Sequence, residues 1–239
     1  KIITIDSTYT TEYDDAIGYR YDKEQDVHIL SIYITNVAIW MEYLQLWNSL
    51  SNRIATIYLP EKKRPLLPTV LTERLMSLKE GEPRFAIVTD LYIKEGEIIK
   101  NEIHQCLISV SKNYRYHDHG TILMNEPIYI HIFDVFSRIK NRTRTTIYDA
   151  NDLIRNLMLL NNKICAMRCE EGIFTETSME ENHPLHPILY KYKTKFVAYK
   201  TETMKTTSPM RRLIDIKNQT ILMGINIEMP MLKELETVN

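Results

Sequence analysis

The sequence is short of cysteine and of long apolar runs, and each shortage removes a class of protein. Its three cysteines, Cys106, Cys165 and Cys169, are odd in number and include no C-x-x-C pair, so reduced thiols are expected rather than a disulfide scaffold. The longest apolar run covers residues 29–41 and contains serine, threonine and asparagine. Such a run is too short and too polar to span a bilayer, and its β-branched content indicates a buried strand.

Neither sign of charge is in excess. The 30 lysines and arginines balance 31 aspartates and glutamates, which leaves a net charge of −1 and excludes a generally basic nucleic-acid binder. An anionic polymer would therefore have to bind at a local basic patch. Hydrophobic residues make up 44% of the chain, enough for a substantial core. We predict one α+β domain over residues 1–239.

The amino terminus carries no visible signal peptide and no initiator methionine. We therefore expect an intracellular, cytoplasmic protein, with an organelle or a viral origin left open. We also expect the chain to be a processed or partial product of something longer.

Hydrophobic periodicity predicts the secondary structure. Strands are expected at 2–5, 16–21, 28–40, 85–93, 100–110 and 128–136, and helices at 41–57, 71–78 and 149–170. Asp149 or Asn151 is expected to cap the last of these helices and Gly172 to end it. Residues 211–223 fit a helix at first, although a strand from Gln219 onward fits equally well.

One short stretch, TIDSTYTTEYDD at 4–15, holds four acids: Asp6, Glu12, Asp14 and Asp15. Crowded carboxylates repel one another and need a compensating cation, and Mg²⁺ prefers such oxygen ligands. An EF-hand is excluded because the turn glycine and the closing glutamate are missing. From spacing alone, a solvated turn whose acids face water stays open as the alternative.

Four blocks of sequence together resemble the RNase II/RNase R (RNB) exoribonuclease family. The first is the acidic signature TIDSTYTTEYDDA at 4–16. The others, in the family's order, are NRIATIYLPEKKRPLLPTVLTERLMSLKEGEPRFAI, LIRNLMLLNNKICA and TTSPMRRLIDI. One such motif is weak, but four in order across nearly the whole chain are specific.

The resemblance implies roles for individual acids in a catalytic set. Asp6, Asp14 and Asp15 fall on the aspartates that hold catalytic Mg²⁺, for which Mn²⁺ can substitute, and the attacking water. Glu12 falls where the family usually has a fourth aspartate, and it reaches one methylene further. Arg211 falls on the arginine expected to hold the scissile phosphate and completes the catalytic set.

The resemblance also implies RNA-binding residues. Tyr58 falls on the tyrosine that stacks on a base near the RNA 3′ end. Ser208 and Arg212 belong to the Ser-Pro-x-Arg-Arg motif and are assigned to RNA binding. The implied fold is an RNB-type domain, with a mixed curved β-sheet, flanking helices and a central catalytic channel. Nothing in the sequence corresponds to the cold-shock and S1-type barrels that flank this domain in the family.

The implied activity is Mg²⁺-dependent 3′→5′ hydrolysis of single-stranded RNA to nucleoside 5′-monophosphates. The sequence departs from the family pattern at Tyr33, Asn36, Lys205 and the pair Gln219–Thr220. These departures keep an alternative open: a catalytically degenerate relative that acts as a structural or RNA-binding part of a larger assembly. Partners would then be RNA and further subunits or domains, without a membrane.

Three remaining features are weaker. The histidines of HDH (117–119) and HPLHP (183–187) are expected on surface loops rather than at zinc. Cys165 and Cys169 are expected to be buried thiols. The basic stretches at 61–65, 142–144 and 191–195 are expected to be solvated, with one or two lining an RNA path.

Overall fold

The computed structural model of the chain describes residues 1–50, 53–118, 123–140, 147–180, 191–197 and 200–225. The strands are β1 (Ile2–Asp6), β2 (Asp15–Asp22), β3 (Val27–Thr35), β4 (Ile57–Tyr58), β5 (Lys63–Arg64), β6 (Pro83–Lys94), β7 (Glu97–Ser109), β8 (Lys112–Arg115), β9 (Phe174–Glu180), β10 (Lys191–Val197) and β11 (Thr203–Met204). The helices are α1 (Val37–Tyr43), α2 (Thr69–Leu71), α3 (Pro127–Ser137), α4 (Ala150–Arg168) and α5 (Leu213–Leu222). A π-helical turn, Thr72–Met76, continues α2, and 3₁₀ turns cover Trp47–Ser49, Tyr116–Asp118 and Leu123–Asn125.

Six strands form the central sheet in the order β7-β6-β3-β2-β1-β8. Neighbours pair antiparallel except β1 and β8, which run parallel, so the sheet is mixed. The predicted α+β class with a mixed sheet and flanking helices is confirmed. The strands predicted at 85–93 and 100–110 are present as β6 and β7, which form a hairpin, and Glu95 and Gly96 turn there with φ of 51° and 77°. Gly96 suits this backbone because it has no Cβ.

The main core lies between one face of the sheet and helices α3 and α4. Sheet residues such as Ile3, Ile17 and Leu30 pack there against Ile132 and Leu157, and all five are buried. The predicted helix at 149–170 is confirmed as α4, and Asp149 caps it by accepting a hydrogen bond from Asp152 N. The helix ends at Arg168, before Gly172.

The strand predicted at 128–136 is wrong, because this segment forms α3. Its buried residues Ile128, Tyr129, Ile132, Val135 and Phe136 recur with helical spacing. Pro127 occupies the first helical turn, where a missing N–H costs nothing. The alternation of apolar and polar residues in IYIHIF fits a strand locally, and packing against the sheet selects the helix.

The prediction for residues 28–57 is wrong at the boundary between strand and helix. Strand β3 ends at Thr35, and α1 runs from Val37 to Tyr43 instead of filling 41–57. Asn36 starts the helix early by accepting a hydrogen bond from Ile39 N, as N-cap residues do. Gln45, with φ of 54°, leaves the helical region soon afterwards.

The carboxyl-terminal part packs on α1 through a second apolar cluster. Val37 and Met41 of α1 meet Met210, Leu213 and Ile216 there. Residues 213–222 form α5, so the helical alternative is confirmed and a strand from Gln219 is wrong as far as residue 222. No helix within the described ranges is long and apolar enough to cross a membrane.

Candidate functional site

The four acids lie at one edge of the central sheet. Asp6 is the last residue of β1 and Asp15 the first of β2. Because β1 and β2 are antiparallel neighbours, these two positions lie at the same edge, and the loop 7–14 spans the gap. We call residues 6–15 the acidic loop.

Arg115 and Ser77 hold the acidic loop. The Arg115 guanidinium donates to the carbonyl oxygens of Ser7 (3.1 Å) and Thr10 (3.4 Å) and to the Tyr13 hydroxyl (2.8 Å). The hydroxyl of Ser77 accepts a hydrogen bond from Tyr13 N at 3.0 Å. Two neighbouring segments therefore set the loop's shape, which its own sequence does not reveal.

A cavity of about 440 Å³ opens over the acidic loop. Seven residues predicted from the sequence line it: Asp6, Glu12, Asp14, Asp15, Tyr58, Ser208 and Arg211. They come from the acidic loop, from the β4–β5 hairpin and from the turn before α5. The structure therefore brings together residues that are up to two hundred positions apart in the sequence.

Three carboxyl groups in this cavity are electrostatically strained. Burial, and then the neighbouring Asp14, raise the pKa of Asp6 to about 7 against the lowering effects of Thr4 and Arg115. Burial also raises the pKa of Asp14 to about 8, although a hydrogen bond from Met210 N opposes the shift. The pKa of Asp15 is well above its usual value because of burial and the charge of Asp6.

Arg211 lines the same cavity, and its charge lowers the pKa of both Asp14 and Asp15. We call the part lined by Asp6, Asp14 and Asp15 the acid wall and the part lined by Ser208 and Arg211 the arginine wall. The Arg211 guanidinium donates to Ser208 Oγ at 3.0 Å. We call residues 206–212 the arginine turn. Its backbone reaches the acid wall directly, since Met210 N donates to Asp14 Oδ1 at 3.1 Å.

Asp215 fixes the arginine turn from beneath. This fully buried carboxylate accepts hydrogen bonds from Ser208 N at 2.8 Å and from the Arg212 guanidinium at 2.7 Å. Arg212 does not line the cavity and lies instead in this ion pair. Its predicted RNA-binding role therefore stays a prediction, whereas the structure gives it a partner within the fold.

The departures at Asn36 and Gln219 serve the framework of the site. The buried Gln219 side chain accepts from Val37 N (3.1 Å) and Ala38 N (3.3 Å) and donates to Thr35 O (2.8 Å). It thereby ties α5 to the junction of β3 and α1, where Asn36 is the helix cap. Both amides form hydrogen bonds that hold buried backbone in place.

The other departures lie near the same framework. Lys205 is half-buried, and burial followed by the charge of Arg212 lowers its pKa. Tyr33 packs its ring on Gly18, where a Cβ would lie 3.1 Å from the ring. Thr220 donates to the carbonyl of Lys217 within α5. None of the three lines the cavity.

Tyr58 stands at the mouth of the cavity with 61% of its surface exposed. The cavity also includes Tyr9, Lys63 and Tyr116. The sequence analysis assigns no role to the two tyrosines, and it indicates Lys63 only as part of the basic stretch at 61–65. Burial and the charges of Asp15 and Asp6 raise the pKa of Tyr116. No motif spacing indicates these three residues, because each comes from a different segment of chain.

The carboxylate oxygens of the acidic loop are the type of ligand that Mg²⁺ prefers. Asp6 Oδ2 is buried without a hydrogen-bond partner, and oxygen ligands with several retained waters are what this ion prefers. Among the described residues, no three His, Cys, Asp or Glu side chains are arranged to hold one ion together. The fit is therefore to an ion bound by one or two carboxylates and water. The predicted ligands Asp6, Asp14 and Asp15 stay a prediction.

Of the weaker sequence candidates, only the basic stretch at 61–65 reaches the cavity among the described residues, through Lys63. His117 Nδ1 is 3.2 Å from Thr8 Oγ1 on the surface. His119, His183, His186 and residues 142–144 lie outside the described residues, as do the side chains of 191–195. Cys165 and Cys169 are buried free thiols, as predicted.

Comparisons with known proteins converge on one family. The family model described as RNB domain matches residues 1–128. Ribonuclease R of Mycoplasmopsis pulmonis is 33% identical over 117 residues, which are 48% of this chain and 16% of that protein. Exoribonuclease 2 of Proteus mirabilis is 36% identical over 108 residues, which are 44% of this chain and 16% of that protein. The chain thus matches only a small part of these curated relatives.

Solved structures share the fold over almost the whole chain. Mycoplasma genitalium RNase R in complex with ribose-methylated single-stranded RNA aligns with a TM-score of 0.72 and 15% identity, covering 99% of this chain and 52% of that one. Yeast Ssd1, described as a pseudonuclease, aligns with a TM-score of 0.74 and 11% identity, covering 99% and 41%. At these identities the likeness concerns the fold alone.

Proposed function

The chain belongs to the RNB domain family, and from that premise we propose that it is an exoribonuclease. It hydrolyses single-stranded RNA from the 3′ end to nucleoside 5′-monophosphates, and it depends on Mg²⁺, with Mn²⁺ as a substitute. One observation carries the proposal: Asp6, Asp14 and Asp15 share a cavity with Arg211. Further subunits or domains that guide RNA are part of the proposal, because the curated relatives are much longer than the part matched here.

The acid wall supports hydrolysis of the RNA phosphodiester, because it offers carboxylates that would hold Mg²⁺. Held by one or two of Asp6, Asp14 and Asp15 together with water, Mg²⁺ would supply charge stabilisation for the phosphate and would lower the pKa of bound water. The raised pKa values of these acids support this assignment, since carboxylates that repel one another ionise together only beside a cation.

The arginine wall supports binding of the scissile phosphate. A guanidinium can donate two parallel hydrogen bonds to phosphate oxygens. Ser208 Oγ already holds Arg211, and Asp215 holds the backbone of Ser208. Arg211 is therefore oriented before RNA arrives, and less side-chain freedom is lost on binding.

The exposed ring of Tyr58 supports RNA binding that does not depend on the base sequence. Every base has an aromatic face that stacks on such a ring, so the contact favours single-stranded RNA without selecting a base. Its position at the mouth of the cavity places a stacked base next to the phosphate-binding wall.

A second candidate is a degenerate relative that binds RNA or stabilises an assembly without cleaving it. Glu12, at the position of the family's fourth aspartate, is engaged by Lys63 and Thr72. Together with the lack of a three-ligand metal group among the described residues, this engagement favours the second candidate.

A degradation assay decides between the two. Purified protein is incubated with 5′-labelled single-stranded RNA in Mg²⁺, in Mn²⁺ and in EDTA, and the same RNA with a blocked 3′ end is the control. The exoribonuclease should shorten only the free RNA, progressively and only with metal. Intact RNA with retained binding in every condition would establish the second candidate.

A further inference from the structure

Glu12 joins the acidic loop to the β4–β5 hairpin. One carboxylate oxygen, Oε1, accepts a hydrogen bond from Thr72 Oγ1 at 2.6 Å, and the other, Oε2, pairs with the ammonium of Lys63. The Glu12 side chain is 10% exposed and that of Lys63 31% exposed. A partly buried charged pair of this kind is screened less by salt than one on the open surface.

The hairpin that Lys63 belongs to also carries the stacking residue. Lys63 pairs directly with Tyr58 across the two strands, and its ammonium lies 5.9 Å from the centre of the Tyr58 ring. Few other described hydrogen bonds hold the hairpin tip, among them Leu59 N to Lys62 O at 3.0 Å. An isolated two-stranded hairpin is marginal in water, so its position depends on what it is docked against.

The length of Glu12 matters for this docking. Both of its oxygens are already occupied by partners on two different segments, the hairpin and the π-helical turn after α2. An aspartate is one methylene shorter and would not reach both. The fourth acid of the loop is therefore used differently from Asp6, Asp14 and Asp15, which form no ion pair like that of Glu12 and Lys63 among the described residues.

We propose that Glu12 and Lys63 form an anchor that holds the β4–β5 hairpin over the cavity, so that Lys63 is a positioning residue for Tyr58 and Glu12 is not a metal ligand. That the anchor exists follows from the contacts of Glu12. That it matters for RNA binding rests on the proposed function. RNA bound at Tyr58 would meet a ring whose place is fixed by this ion pair.

The structural part is tested without RNA by hydrogen exchange. Lys63→Met and Glu12→Gln should each speed amide exchange in peptides covering residues 57–64, and the double variant should exchange no faster than either single variant. Lys62→Met removes the same charge from the same hairpin without touching Glu12, so it is the matched control and should leave exchange unchanged. Unaltered exchange in Lys63→Met would overturn the anchor.

The functional part is tested by fluorescence anisotropy with single-stranded RNA in EDTA, in a protein that also carries Asp14→Asn, so that no cleavage intervenes. Lys63→Met should weaken binding about three- to tenfold, and Lys63→Arg, which keeps the cation, should restore most of it. In a chain with Asp14 intact and with metal present, Lys63→Met should raise KM and leave kcat nearly unchanged.

Glu12→Asp separates the anchor from a metal role. As an anchor, the shorter acid should weaken RNA binding and speed exchange in the hairpin. As a metal ligand, it should support cleavage at least as well as Glu12, with unchanged RNA affinity, and that result would overturn the proposal. If the wild type binds no RNA at all, the proposed function fails, while the exchange experiment still decides the anchor.

Discussion

The two walls of the cavity differ in how their charges are balanced. On the acid wall, burial and mutual repulsion raise the pKa values of Asp6, Asp14 and Asp15. On the arginine wall, Asp215 lies beside Arg212 at 2.7 Å and also accepts from Ser208 N. Asp215 thus neutralises Arg212 behind the arginine wall, whereas no ion pair among the described residues neutralises Asp6, Asp14 or Asp15.

This difference indicates that the two walls have different roles. Neutralised buried groups give a fixed framework, because removing either partner would leave an uncompensated charge. Buried carboxylates that lie close together are costly to ionise without a cation, and for this reason we propose the acid wall as the metal-binding side. The two walls meet at the hydrogen bond from Met210 N to Asp14 Oδ1, so the framework positions one of the strained acids.

The largest expected effect comes from Asp14→Asn on the acid wall. The amide keeps the volume and an oxygen that can accept from Met210 N, but it removes one negative charge. Cleavage should fall at least about a thousandfold, because the lost interaction acts mainly in the transition state. RNA binding should persist or tighten slightly as repulsion of the phosphate is relieved. Single-turnover cleavage and anisotropy measure the two effects. Equal cleavage by variant and wild type would show that the acid wall is not catalytic.

A change on the arginine wall should act on stability instead. Asp215→Ala leaves the Arg212 charge and Ser208 N without their buried partner, and it should lower the free energy of unfolding by about 3 kcal/mol. Asp134→Ala is the control, since it breaks the exposed pair with Arg138 at 2.7 Å, which should contribute less than about 1 kcal/mol. Urea denaturation compares them, and equal losses would contradict the view of this wall as the rigid framework.

The same contrast explains what could be predicted from the sequence. The acids of the loop follow one strand and precede the next, so a local pattern already places Asp6 and Asp15 at one sheet edge. Gln219 binds Val37, which lies 182 positions away, and no local pattern encodes that contact. Lys63 and Tyr116 reach the cavity only through the packing of separate segments.

Secondary structure was predicted well where one period dominated. The long amphipathic α4, with Leu153, Leu157 and Ile164 buried along one face, leaves no competing pattern. The apolar segment of α3 satisfies both the strand and the helix period, and only its contacts with the sheet decide. The early start of α1 depends on the single cap Asn36, which the pattern of apolar residues does not indicate.

Tyr58 lines the same cavity at its exposed side. Its removal should have a smaller effect, which is confined to RNA binding. Tyr58→Ala should weaken single-stranded RNA binding by about 1–3 kcal/mol, the usual range for loss of a base–aromatic stack. Tyr148, with 76% of its surface exposed and outside the cavity, provides the matched control as Tyr148→Ala. Anisotropy in EDTA measures both. Equal affinities of the two variants would place the RNA elsewhere.

The last expected effect is a pH dependence of stability to which the acid wall contributes. Asp6 and Asp14 have pKa values of about 7 and about 8 in the folded chain, against an ordinary value of 3.8. Between these limits the folded state binds more protons than the unfolded state, so the free energy of unfolding must fall as pH rises. One pKa unit corresponds to about 1.4 kcal/mol, and we expect a loss of at least about 1 kcal/mol between pH 5 and pH 8 without metal.

Asp14→Asn should reduce this loss and make the metal-free protein more stable than the wild type at about pH 8, because one repelling charge is gone. Asp22→Asn, at the far end of β2 and outside the cavity, is the control and should keep the wild-type slope. Urea denaturation in EDTA across this range measures the slopes, and added Mg²⁺ should restore wild-type stability most at high pH, where the acids are ionised. If the free energy of unfolding has the same slope against pH in all three proteins, Asp14 does not carry the pH dependence. The acid wall would then not be prepared for a cation.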